Sequence, residues 1–215
     1  MNKTKIPWAD YTINPVKGKC PVACSYCYAR RMYDRFKWNP EIRFEPLDYK
    51  KYPAGCKVFV GSTMELFGNW IKVSWLEQIF EWCRRLPDVT FIFLTKRPEN
   101  LARWSPFPEN CWVGVSVSND KMLDIAVDKL EDIQANTKFL SLEPLLEKLT
   151  LSLDYAFYYS GIKWLIIGSQ TQPTRHPNPE WVKEIITAAD AANIPIFVKE
   201  PLASYMNIHR QEYPH

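Results

Sequence analysis

The sequence predicts an α/β fold, a partial (β/α)6–7 TIM-like barrel of mostly parallel strands with a cysteine loop after the first strand. Three observations lead there. Short apolar runs rich in β-branched and aromatic residues recur along the chain, nearly continuous rather than alternating, as strands buried on both faces read. Between them lie stretches with apolar residues at helical spacing. Strand then helix, repeated at intervals of about 22 to 34 residues, makes βαβ units and hence a parallel sheet. A closed eightfold barrel usually takes about 250 residues, and this chain has 215.

The first strand is expected around Tyr11–Asn14. Others are expected at Lys57–Val60, Val89–Leu94, Cys111–Val117, Lys138–Leu142, Lys163–Ile167 and Ile194–Val198. Tyr28–Phe36 lacks Gly and Pro and reads as a helix directly after the cysteines. Trp75–Leu86 puts Leu76, Ile79, Phe80, Cys83 and Leu86 on one face. Lys121–Ile133 does so with Met122, Ala126, Leu130 and Ile133, and Glu180–Ala192 with Val182, Ile185, Ile186 and Ala189. Ser74 and Asn119 stand at N-cap positions, and Pro179 opens the last helix. One domain over 1–215 is expected, with a core of about 6–202 and a short tail, 203–215.

A make-up of 47% hydrophobic and 24% charged residues is that of a globular chain, not a disordered one. There is no apolar run of about 18 residues and no apolar leader at the start, so neither a membrane span nor secretion is expected. Six cysteines without a secretion signal then point to a reducing cytosol rather than a disulfide framework. The net charge of +3 permits an anionic partner without requiring one. Nine Trp and eleven Tyr exceed what a core needs and hint at stacking surfaces.

The chemistry centres on Cys20-Pro21-Val22-Ala23-Cys24-Ser25-Tyr26-Cys27. Cys24 and Cys27 are expected at i, i+3 on the first helical turn, with Cys20 arriving from the loop. Three thiolates so placed suit three corners of an iron–sulfur cluster, leaving one iron open to bind something else. A structural zinc site competes. Zinc usually takes four N/S ligands, commonly as two pairs, whereas there is no second pair and the histidines begin only at His176. Three unrelated core cysteines are the other alternative. Cys56, Cys83 and Cys111 are widely separated, so a second cluster is not expected.

The residues after each strand are polar: Gly61-Ser62-Thr63-Met64-Glu65, Thr95-Lys96-Arg97-Pro98, Ser116-Val117-Ser118-Asn119-Asp120, Ser141-Leu142-Glu143-Pro144, Gly168-Ser169-Gln170-Thr171 and Lys199-Glu200-Pro201. One such run is what any helix cap or solvated loop looks like. Several in register with a cysteine loop point to a site at the carboxyl ends of the strands. A cation at a strand end, Lys96 or Arg97, is placed to pair with a carboxylate. Ser116, Ser118 or Asn119 offer small polar partners for a ligand's hydroxyls. Glu143 and Lys199 either face the site or pair with each other between strands.

Cys20-x3-Cys24-x2-Cys27, with Tyr26 before the third cysteine and a βα series behind it, resembles the radical S-adenosylmethionine superfamily. Asn14-Pro15-Val16, Cys27-Tyr28-Ala29, Leu94-Thr95-Lys96-Arg97-Pro98, Val113-Gly114-Val115-Ser116-Val117, Ser141-Leu142-Glu143-Pro144-Leu145-Leu146 and Phe197-Val198-Lys199 resemble the blocks of one branch. That branch is a phage- and prophage-associated radical-SAM-like family of unassigned function, and the likeness covers about residues 6–202. More distantly, the layout is similar to the spore photoproduct lyase group. The resemblance implies a [4Fe–4S] cluster on Cys20, Cys24 and Cys27. It also implies S-adenosylmethionine on the open iron, and a flavodoxin- or ferredoxin-like electron donor. It places Tyr26 against the adenine and Gly61, Ser62 and Thr63 near the methionine amino group. The usual Gly-Gly-Glu is absent there, and Gly168-Ser169-Gln170-Thr171 replaces an expected Gly-Gly-Glu-Ser-Gly.

Arg30, Arg31, Arg35, Lys37 and Arg43, interleaved with Tyr28, Tyr33, Phe36 and Trp38, form a basic and aromatic tract. Such a tract suits a nucleic acid or nucleotide substrate, and a solvated amphipathic helix is the plainer alternative. Two other function classes stay open: an iron–sulfur electron-transfer or binding module without S-adenosylmethionine chemistry, and a zinc-stabilised barrel. A monomer without a membrane partner is expected.

Overall fold

The computed structural model describes residues 2–45, 47 and 52–214. In chain order its strands are β1 (Asn2–Lys3), β2 (Tyr11–Ile13), β3 (Val16–Lys17), β4 (Arg43–Phe44), β5 (Lys57–Val60), β6 (Thr90–Thr95), β7 (Cys111–Ser116), β8 (Thr137–Leu142), β9 (Ile162–Ile167) and β10 (Ile196–Val198). The helices are α1 (Tyr28–Phe36), α2 (Val73–Arg84), α3 (Asp120–Glu131), α4 (Leu153–Ser160), α5 (Pro179–Ala191) and α6 (Leu202–Met206). One sheet runs β1-β2-β5-β6-β7-β8-β9-β10. Only β1 in it is antiparallel, so seven parallel strands curl into a half-barrel. A small ribbon of β3 and β4 brackets the cysteine loop and α1. Among the described residues, no helix is long and apolar enough to cross a membrane.

Alternation of side chains across the strands divides the core in two. The convex face packs under the helices through Val58, Val60, Phe91, Phe93, Val113, Leu140 and Leu165, among others. The concave face carries Phe59, Ile92, Phe139, Trp164, Ile166 and Phe197, with Trp8 joining from the N-terminal arm. Trp164 lies tilted against Phe139 at 5.2 Å and edge to face with Trp8 at 6.4 Å. They fill the barrel floor as interior layers do in closed barrels. Leu94, Gly114, Phe139 and Trp164 are successive partners across four strands. Gly114 matters in that row, because a Cβ there would stand 2.3 Å from the Phe139 ring.

The open edge is covered by the C-terminal segment. Val198 donates to the Arg210 carbonyl at 2.8 Å, and Glu212 donates to Ile196 at 3.0 Å. The Glu212 carboxylate accepts from the Ile196 amide (2.9 Å) and from Arg210. Pairing the edge in this way removes a template for association with other chains.

All seven expected strands are present, with boundaries shifted by a residue or two. Asn119 caps α3 by accepting from Met122 at 3.0 Å, and Pro179 opens α5. Ser74 does not cap α2: the helix starts at Val73, Lys72 takes the extended cap position, and Ser74 lies inside the first turn. Cys24 is not on the helix either. Cys27 is the N-cap of α1, its sulfur accepting from the Arg30 amide at 3.4 Å, so Cys24 sits in the turn before it. Helices α4 and α6, strand β1 and the β3–β4 ribbon are additions to the sequence reading.

Replacing Gly114 by Ala is expected to destabilise the fold by about 1–3 kcal/mol, the usual cost of overpacking. Pairing it with Phe139→Leu, which withdraws the ring, is expected to cost less than the sum of the two single changes. Urea denaturation of the three variants checks this.

Candidate active site

The three thiols share one hollow at the carboxyl ends of the strands. Its wall is Cys20, Val22, Cys24 and Cys27 from the loop, Gly61–Glu65 after β5, Thr95 and Lys96 at the end of β6, and Ser116 closing β7. The hollow holds about 140 Å³. A neighbouring one of about 250 Å³ shares Lys96 and Ser116 and continues over Val115, Met122 and Ile125. A larger hollow of about 430 Å³ lies at the amino ends of the strands, between Pro87, Phe107 and Asn110, away from the cysteines.

Each wall residue arrives for a local reason. Cys27 is fixed as the helix cap. Cys20 is held by its carbonyl, which accepts from Arg30 at 3.1 Å. Burial pushes this thiol up, and the backbone amides of Glu65 and Val22 oppose it. Burial also raises Cys24, and the nearby Lys96 charge opposes it. All six cysteines are free thiols. No three His, Cys, Asp or Glu side chains among the described residues group closely enough to hold a single metal ion. The three thiols instead line a common wall. That donor set fits an iron–sulfur cluster, in which each thiolate serves its own iron and accepts outer hydrogen bonds.

Glu65 is the residue that sequence reasoning passed over. It is 7% exposed, and its carboxylate accepts from Thr95 Oγ1 (2.7 Å), the Lys96 amide (2.7 Å) and the Phe67 amide (3.0 Å). Burial raises its pKa against those donors. Asn14 was also missed as a working residue. Its side chain exchanges hydrogen bonds with Ser62 Oγ at 3.1–3.2 Å and accepts from the Thr63 amide at 3.0 Å, so it sets the Gly61–Thr63 segment. The signal for Asn14 was its place one residue past the first strand.

The expected residues fall into three groups. Gly61, Ser62, Thr63, Lys96 and Ser116 line the hollow with the cysteines. Tyr26 lies over it: its hydroxyl is 3.5 Å from Ser118 Oγ, and the Lys96 ammonium sits 5.6 Å from its ring. Tyr28, half-exposed, also crosses the mouth to donate to the Ser62 carbonyl at 3.0 Å. Glu143 and Lys199 form an ion pair across the other half of the mouth. The intervening strand-end residue is Gly168, where a Cβ would come 3.1 Å from the Glu143 side chain. Asn119 and Arg97 turn away from the hollow. Asn119 caps α3, and Arg97 is 44% exposed and pairs with Glu99 at 3.6 Å because the chain reverses into a 3-10 turn at Pro98.

The basic tract is not one continuous charged face. Arg30 is spent on the Cys20 carbonyl, Arg31 bonds the Tyr26 (3.0 Å) and Gln172 carbonyls, and Arg43 pairs with Glu45 at 3.3 Å. Cys83 and Cys111, far apart in sequence, are both buried in the convex core, where burial raises Cys83.

Removing the Glu65 carboxylate leaves three donors unmet. Glu65→Ala is expected to cost about 3 kcal/mol, since each buried unsatisfied group costs about 1–3 kcal/mol. Thr95→Val, which takes one donor from Glu65 and the acceptor from the Arg97 amide, is expected to cost less. Chemical denaturation of both checks the order.

The profile of a family described as protein of unknown function, DUF5131, matches residues 3–210. No curated protein and no solved structure matches the chain. The match spans nearly its whole length, and the chain is a member of the DUF5131 family.

Proposed function

We propose that the chain is a radical S-adenosylmethionine enzyme working in a reducing cytosol, of the phage- and prophage-associated kind its motifs resemble. The observation that carries this is the convergence of three free thiols from one loop with the polar ends of three parallel strands on one hollow. Cys20, Cys24 and Cys27 would hold a [4Fe–4S] cluster. Reduced by one electron from a flavodoxin- or ferredoxin-like donor, it would supply the cleavage of S-adenosylmethionine to methionine and a 5′-deoxyadenosyl radical that takes a hydrogen atom from substrate.

The protein groups have separate tasks. The amides of Val22 and Glu65 stabilise negative charge on the Cys20 sulfur. Lys96 faces the hollow beside Cys24 and is the cation placed to pair with the cofactor carboxylate, whereas Arg97 already pairs outside. Tyr26 would offer a ring face to the adenine, and the Ser116 hydroxyl on the hollow's wall would serve a ribose. Ser118 is occupied with Tyr26. Glu143 and Lys199 neutralise each other across the far half of the mouth. Radical chemistry needs water and stray hydrogen donors kept out. Tyr28 narrows the mouth, and a bulky nucleic acid or nucleotide substrate would complete the enclosure.

Anaerobic reconstitution with iron and sulfide, then dithionite and S-adenosylmethionine, is expected to give 5′-deoxyadenosine from the wild type and none above background from Cys24→Ala. Equal amounts from both would sink the proposal. Cluster absorbance without product would leave an electron-transfer module, and one zinc with no iron or sulfide would leave a zinc-stabilised barrel. Lys96→Met is expected to raise the S-adenosylmethionine requirement about tenfold or more, the loss of one charge-assisted hydrogen bond. Its cluster absorbance should be unchanged, and Arg97→Met should behave as wild type.

A further inference from the structure

Positive charge is gathered in one segment. Residues 19–43 hold six Lys and Arg against Asp34 and Glu41, an excess of four in a chain whose total is +3. Four of those cations have partners: Arg30, Arg31 and Arg43 as above, and Lys19 with Asp34 at 2.5 Å. Arg35 and Lys37 have no ion-pair partner among the described residues.

The same two residues flank a pair of large exposed rings. Phe36 is 52% and Trp38 45% exposed. The rings stack with centroids 5.5 Å apart and planes 23° apart. Lys37 between them adopts the left-handed cap conformation, φ 52°, which folds the chain back so that the rings meet. Arg35 lies 5.3 Å from the Phe36 ring. The ledge is anchored from behind. Tyr33 meets Trp38 edge on at 5.4 Å, and its hydroxyl accepts from the buried Gly18 amide at 2.8 Å. Single exposed rings are ordinary on a surface, but a preassembled stack flanked by two free cations is not explained by packing. Its chemistry selects a ligand with flat π-faces and regularly spaced negative charge. The ledge stands at the far end of α1, about 13 Å of helix from the Cys27 cap at the mouth.

We propose that Phe36 and Trp38, with Arg35 and Lys37, form a binding ledge for single-stranded nucleic acid. Bases stack on the ring pair and phosphates meet the two cations. A strand held there runs along α1 toward the mouth, which makes a nucleotide within the strand the group presented to the site. This deepens the radical-enzyme reading by naming its substrate class, but binding at the ledge needs neither cluster nor cofactor.

Fluorescence anisotropy with labelled oligothymidylate, oligouridylate and a DNA duplex of equal length tests it, using the 215-residue chain before and after cluster reconstitution. One single strand or both are expected to bind more tightly than the duplex. The joint change Phe36→Ala with Trp38→Ala is expected to weaken single-strand binding about tenfold or more. Trp38→Phe, which keeps a ring in the stack, is expected to retain binding, and this separates stacking from a folding defect. Arg35→Gln with Lys37→Gln, which leaves the packing alone, is expected to flatten the salt dependence by about 1.4 in log–log slope. Duplex binding as tight as single-strand binding, binding indifferent to loss of the rings, or no binding at low salt overturns the ledge. Absence of binding by the wild type with its 5′-deoxyadenosine formation intact overturns the ledge alone, and wild-type binding without that product overturns the radical chemistry alone.

Discussion

A carboxylate buried beneath the cysteine loop ties the parts of the site together. Glu65 satisfies Thr95 and Lys96 at the end of β6 and the Phe67 amide in its own loop, and it lines the hollow together with Cys20. A buried carboxylate is tolerated only when its oxygens are met by donors. The same bonds that make its burial tolerable therefore leave the loop after β5 little freedom. Because the residue that bonds the strand end also lines the hollow beside Cys20, the loop after β5 and the end of β6 are placed together rather than independently.

The half-barrel supplies the platform by simple parity. Inward positions alternate along every strand, and rings occupy the lower ones, from Phe59 to Phe197. The next inward positions, at or just beyond the strand ends, are Gly61, Lys96, Ser116, Glu143, Gly168 and Lys199. Ser116, Ser141, Ile166 and Phe197 are partners in one row. That row shows how the stagger of a curled parallel sheet raises the polar layer on one side and the apolar floor on the other.

This parity is why so much was legible in the sequence. Continuous apolar runs marked most of the seven parallel strands, and the inward residues at or just beyond their ends, Gly61, Lys96, Ser116, Glu143, Gly168 and Lys199, are all polar or glycine. Arg97 was misleading because it follows Lys96 by one position, which is the opposite parity, and the turn at Pro98 carries it outward. Glu65 was hidden because its direction depends on how the segment beyond Gly61 folds over β6, which no periodicity encodes. Helix α4 escaped because Tyr155, Tyr158 and Tyr159 put large rings on its exposed face, blurring the apolar stripe. Ser74 mimicked a cap, but Lys72 holds that place. The basic tract was visible as composition, while its division between structural contacts and free charge depends on partners as distant as Gln172.

The cysteines divide by accessibility in a way that is useful at the bench. Cys56, Cys83 and Cys111 are buried in the convex core, whereas Cys20, Cys24 and Cys27 are all partly open on the hollow. In the native chain an alkylating reagent meets only the second set, and denaturation exposes the first. The difference between the two thiol titres is thus a built-in gauge of whether the mouth is empty or filled, readable by mass spectrometry without spectroscopy of any bound group.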